Sequence, residues 1–122
     1  MAANKVRPTE FKLHQKRRVL EVAFEDGKRF SLPCELLRVY SPSAEVRGHG
    51  PGQEVLVHGK ENVNITAIEP VGNYAVKLVF DDGHDSGLYS WDIFYELGEH
   101  QEQYWADYLA RLKEAGHERK LD

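Results

Sequence analysis

The stretch Glu69–Gly98, EPVGNYAVKLVFDDGHDSGLYSWDIFYELG, decides how this chain folds. From Tyr74 to Phe80, the residues Tyr74, Val76, Leu78 and Phe80 share one face, the period-two pattern of a half-buried strand. Asp81, Asp82 and Gly83 then supply turn chemistry, because glycine takes positive φ freely and aspartate side chains bond nearby backbone. Leu88–Ser90 returns as a strand, Ser90 is placed to cap a helix over Trp91–Leu97, and Gly98 is expected to end it. If the chain has a chemical centre, the pattern places it at His84.

Working back along the chain, VAFEDGKRFSLPCELL (Val22–Leu37) echoes LVFDDGHDSGLYSWDIFYEL (Leu78–Leu97). Each has a strand ending in Phe, an acidic-Asp-Gly turn, a short strand and a short helix. Asp-Gly hairpins are common enough for chance to produce this; a true echo predicts that the two hairpins pack alike. Val19–Phe24 reads as a strand with Leu20, Val22 and Phe24 on one face. A three-residue loop, setting Phe24 opposite Phe30, lets the apolar faces agree where a two-residue loop does not. Pro33 suits the first turn of a helix that continues to Tyr40, and Ser41-Pro42 breaks it.

The remainder is less strongly patterned. Residues 1–8 read as a flexible leader, Phe11–His14 as a short edge strand, and Lys16-Arg17-Arg18 as a basic turn, either solvated or a binding patch. Gly48-His49-Gly50-Pro51-Gly52 is loop by composition, Val55–Val57 a brief strand, and Val63, Ile65 and Ala67 alternate before Pro70 limits the run. Residues 99–116 make a C-terminal amphipathic helix with Tyr104, Trp105, Tyr108, Leu109 and Leu112 as its stripe, stopped by Gly116, and 117–122 form a frayed tail.

At 122 residues the chain is one domain, and 41% hydrophobic content with 11% aromatics suits a folded globular protein. A net charge of −4 argues against nucleic acid, whose binders normally present a basic face, and against a membrane surface. No apolar run is long enough to span a bilayer, and the first residues lack the apolar core of a signal peptide. One cysteine, Cys34, allows no intramolecular disulfide, and the chain is expected to be cytoplasmic.

Candidate chemistry is sparse. His84 with Asp82, Asp85 and His49 offers ligand types for zinc or iron, although no pair sits at a tight ligand spacing; the bland alternative is a solvated acidic turn. Cys34 lies near a helix start, where a thiolate is favoured, or it is a buried structural cysteine. Gly48, Gly50 and Gly52 match neither dinucleotide nor Walker spacing, leaving an anion-binding backbone or a plain surface loop. Aromatics crowd the last third. Most are expected in the core, and a surplus at Tyr95, Tyr104, Trp105 and Tyr108 would mark a protein-binding patch.

The phrases LPCELLRVYSPSAEVRGHGPGQ (Leu32–Gln53) and IEPVGNYAVKLVFDDGHDSGLYSWDIFYELG (Ile68–Gly98) resemble the N-terminal domain family of gamma-butyrobetaine hydroxylase, over roughly Phe11–Gly98. The resemblance implies a domain spanning 9–98, with the C-terminal helix as an appendage of stand-alone bacterial members. In full-length hydroxylases it implies a separate iron- and 2-oxoglutarate-dependent catalytic domain. It further implies a structural zinc held by three cysteines and one histidine. On matching positions the cysteines fall at about Ser41, Ser43 and Val46, so the thiols are absent, and His84 is the surviving ligand. Related domains joined to iron–sulfur ATPases imply an accessory role in iron–sulfur or oxygenase systems.

The expected fold is therefore α+β: a small, mainly antiparallel β-sheet domain with two short helices and a longer C-terminal amphipathic helix. The expected function is a non-catalytic binding or adaptor module for a protein partner related to iron–sulfur assembly or oxygenases. The alternatives are a zinc- or iron-binding domain centred on His84 and a small enzyme of unknown reaction, which would need a deep polar pocket containing His84.

Overall fold

A computed structural model describes residues 6–43 and 56–120. Its strands are β1 (Pro8–His14), β2 (Val19–Phe24), β3 (Arg29–Pro33), β4 (Ile65–Val71), β5 (Ala75–Phe80) and β6 (Leu88–Ser90). Its helices are α1 (Cys34–Val39), α2 (Trp91–Glu99) and α3 (Gln101–Ala115). The strands form two antiparallel meanders, β1-β2-β3 and β4-β5-β6, each followed directly by a helix. Among the described residues the fold is α+β, with two short helices and a longer terminal one.

The echo in the sequence extends to the atoms. Phe24 N–H donates to the Lys28 carbonyl at 2.8 Å and Phe80 N–H to that of His84 at 3.0 Å. Gly27 and Gly83 both adopt φ of 90°. Asp26 Oδ1 accepts the Lys28 N–H at 3.0 Å, and Asp82 Oδ1 accepts that of His84 at 3.1 Å. Both meanders also bulge at the same place, between Pro8 and Glu10 and between Ile65 and Ala67. There Thr9 and Thr66 each donate a hydroxyl to the neighbouring strand, on Ala23 and Val79. The two halves are built to one plan.

Apolar faces of both meanders close on a shared core. Leu20, Val22, Leu32, Ile65, Leu78 and Phe80 meet Leu36 and Leu37 of α1 and Phe94 and Leu97 of α2. A smaller cluster of Val39, Tyr108 and Leu112 seats α3 against the end of α1. Tyr89 threads the core and donates its hydroxyl to the Leu37 carbonyl at 2.6 Å, satisfying a polar tip that burial would otherwise strand.

Several local expectations are corrected. The first loop does hold three residues, Glu25 to Gly27, but Phe30 pairs with Val22, not Phe24. The shift of two residues preserves the faces, so Phe24 and Phe30 still meet edge-on at 5.9 Å. Strand β1 already starts at Pro8, inside the expected leader, and Tyr74 lies in the turn before β5, 56% exposed. Pro70 stays within β4, tolerable because β4 is a sheet edge. Leu56 and Val57 form no strand, and Val55 lies outside the described residues.

Gly98 does not end its helix. It sits inside α2, where an added Cβ would lie 2.3 Å from the Phe30 ring, so glycine serves close approach here. The chain breaks at His100 instead. Gly116 does end α3, left-handed at φ 79°. The segment beyond it is held rather than frayed up to Lys120: Glu35, buried in α1, takes both Arg119 contacts at 2.9 and 2.6 Å. His117 stacks on His58 at 3.7 Å.

Candidate functional site

Each Asp-Gly turn grips the helix of the other half. Asp26 accepts the Tyr95 hydroxyl at 2.6 Å, and Lys28 pairs with Glu99 on α2. In the second turn, Asp82 Oδ2 is held by Arg38 Nε of α1 at 2.8 Å and Lys60 Nζ at 2.7 Å. Burial alone would raise the Asp82 pKa, but Lys60, the His84 N–H and Arg38 together hold it at about 2. Asp82 is a buttress of the turn.

His84 is 6% exposed, and its Nε2 lies 2.8 Å from Ser41 Oγ and 3.4 Å from Ser43 Oγ. Gly87 is wedged against this group; a Cβ there would come within 2.4 Å of Ser41 Oγ. The fold thus brings Ser41 and Ser43 to His84, as the family match of positions implies. One imidazole and two neutral hydroxyls are a poor donor set for zinc or iron, which favour thiolate, imidazole and carboxylate. Among the described residues, no three His, Cys, Asp or Glu side chains gather to hold a metal. Asp85 is exposed, and His49 and Val46 lie outside the described residues. Ser41 is itself fully buried, so a nucleophile there has no access to substrate. Cys34 is likewise buried, and desolvation pushes its thiol up to about 11. It is a structural cysteine.

The aromatic candidates part company. Tyr108 is fully buried and donates its hydroxyl to Glu35 at 2.6 Å, so it packs and offers no surface. Tyr95 is half-buried, edge-on to Phe24 and Phe30. Tyr104 donates to Glu96 and packs on Tyr40. Trp105 differs, because its half-buried ring forms a wall of two separate clefts. One runs along Gly98–Gln103; the other is lined by Arg17, Arg18, Glu35, Glu61 and Arg119. The Arg119 guanidinium stands 5.1 Å from the Trp105 ring centroid. One turn along α3, Leu109 is 38% exposed.

Two residues lining the second cleft, Arg18 and Glu61, each carry a buried polar atom, Nε and Oε1, without a hydrogen-bond partner among the protein atoms described. Sequence reasoning named Arg18 only as part of a basic turn and missed Glu61 and Arg119 altogether. Their conjunction depends on three distant segments, and no local pattern marks it.

The chain is a two-meander α+β domain with a sealed serine–histidine pair, and among the described residues no helix is long and apolar enough to cross a membrane. The model of the family "Gamma-butyrobetaine hydroxylase-like, N-terminal" matches residues 11–95, and the chain belongs to that family. Two solution NMR structures are similar, at 58% and 49% identity, each covering 98% of this chain with a TM-score of 0.82; 90% and 94% of those chains are covered. A crystal structure from Acidithiobacillus ferrooxidans, described as a protein with unknown function of the DUF971 family, is 37% identical. It covers 75% of this chain and 92% of its own, with a TM-score of 0.64. No curated protein matches.

Proposed function

We propose that this domain is a non-catalytic binding module whose partner, a protein, docks along α3. The observation that carries the reading is the position of Trp105, half-buried as the shared wall of two clefts. A tryptophan flanked by concave surface, with a guanidinium over its ring, is the kind of anchor that dominates interface energy. Leu109 extends the apolar face along the same helix. The family's description names a hydroxylase, which favours a partner from an oxygenase system, and the iron–sulfur partner is what the sequence resemblance implies.

A photo-crosslinking amino acid at Gln103, beside Trp105, tests this in cells, with the same group at Lys12 on β1 as control. Adducts of defined mass from Gln103, lost in Trp105→Ala, are expected. Equal adducts from both positions would overturn the reading.

A further inference from the structure

We propose that the seat of the Arg119 guanidinium, made by Glu35, Tyr108 and Trp105, is a binding site for an arginine side chain of the partner protein. The C-terminal segment fills it as a stand-in from within the chain. The inference rests on the binding-module reading and names the group by which the partner is recognised.

The seat is complete around its present occupant. Glu35 Oε2 accepts the Arg119 Nε–H at 2.9 Å and Oε1 accepts the Nη2–H at 2.6 Å, the paired geometry in which a planar guanidinium meets a carboxylate. Tyr108, fully buried, donates its hydroxyl to Glu35 Oε2 at 2.6 Å and fixes the carboxylate in place. The Trp105 ring closes a third side, its centroid 5.1 Å from the guanidinium carbon and within cation–π reach. A lysine ammonium would answer the charge but not the two parallel bonds, so the chemistry selects arginine. The Arg119 side chain is 27% exposed, so its seat opens to solvent, where a side chain from outside can enter.

Walls and occupant differ in how they are held. Glu35 sits in α1 and Trp105 and Tyr108 in α3, two helices anchored in the apolar clusters. Arg119 follows Gly116, whose left-handed backbone turns the chain out of α3. Among the described residues, none beyond Leu112 enters either cluster. Polar contacts fasten the segment: Asn62 Nδ2–H to the Lys120 carbonyl at 2.9 Å, the Lys120 N–H to Glu61, and the His117–His58 stack. Hydrogen bonds exchange with water at small net loss, whereas apolar burial does not.

Glu35 sets the condition for release. Its side chain is 6% exposed, so the departure of Arg119 alone would strand a buried charge. The tail is therefore exchanged for a second guanidinium rather than simply shed. A partner that presents arginine gains both the carboxylate and the Trp105 face.

The test is an amide NMR titration of the full chain with N-acetyl-alanyl-arginyl-alanine amide, against the same peptide with citrulline, which has the shape of arginine without its charge. In Arg119→Ala the arginine peptide should move the Trp105 indole N–H and the amides of Glu35 and Tyr108. The citrulline peptide should bind roughly tenfold more weakly, the usual effect of losing a charge-assisted hydrogen bond. The unaltered chain should bind the arginine peptide more weakly than Arg119→Ala by at least roughly the same factor, because its own tail competes at high effective concentration. Arg119→Gln, which keeps a donor for Glu35 without the charge, is the second variant should alanine loosen the fold. Adding Glu35→Gln to either variant should abolish the response. No Trp105 shift in either variant, equal response to citrulline, or binding that survives Glu35→Gln would overturn the inference. The two readings fail separately: silent peptides remove the arginine inference alone, whereas equal crosslinking from Gln103 and Lys12 removes the binding module.

Discussion

Lys28 and His84 occupy the same place in two turns of one construction, each closing a three-residue loop by accepting a hydrogen bond from the preceding phenylalanine, at 2.8 and 3.0 Å. Their side chains then diverge. Lys28 reaches out to Glu99 on α2, while His84 turns inward to Ser41 just beyond α1. The same backbone device therefore clasps the two halves crosswise, once through a solvated ion pair and once through a sealed polar pocket.

That equivalence predicts equal costs. Gly27 and Gly83 share φ of 90°, and an added Cβ meets nothing within 4 Å at either. Gly27→Ala and Gly83→Ala should each destabilise by about 1–2 kcal/mol, through backbone strain alone. Urea denaturation of the two variants checks this, and a clear inequality would mean that the turns are not equivalent in energy.

The Asp82 clasp predicts a pH dependence. Its carboxyl is held at about 2, below the ordinary value near 4, so the folded state binds fewer protons than the unfolded one across that interval. Stability from this group is present above about pH 4 and is lost as pH falls toward 2. The full shift would be worth about 2.6 kcal/mol, and solvent screening at this partly exposed carboxylate reduces it to roughly 1–2 kcal/mol. In Asp82→Asn, the stability to urea lost between pH 5 and 2 should be smaller by that amount.

Gly98 offers a test in which helix propensity and packing oppose one another. Alanine favours a helix interior by about 1 kcal/mol over glycine. The Phe30 ring lies 2.3 Å from the would-be Cβ, however, and overpacking of this kind costs about 1–3 kcal/mol. Gly98→Ala should therefore be destabilising by thermal melt, with Gly98→Ala/Phe30→Leu partly restored.

Cys34 should be inert while the protein is folded. It is fully buried with its thiol pushed to about 11, so roughly one molecule in a thousand carries thiolate at pH 8. Intact-mass spectrometry after iodoacetamide should show no adduct in buffer and one adduct in urea. Modification of the native protein at the rate of a free thiol would refute the burial.

By itself, the sequence determined the alternating strands, the two Asp-Gly turns, the Ser90 cap and the left-handed Gly116, because each depends on residues within a few positions of one another. The Ser90 cap is present as expected, accepting the Ile93 N–H at 3.4 Å. Only the tertiary structure decided what lay between segments. It buried Tyr108 against Glu35, reserved Gly98 for the Phe30 ring and tied Arg119 back to α1. It also enclosed His84 with Ser41 and Ser43, and set Arg18, Glu61 and Trp105 around one cleft. Periodicity shows which face of an element is apolar; which partner covers that face, and which polar atom is left without one, is settled only when distant segments compete for the same core.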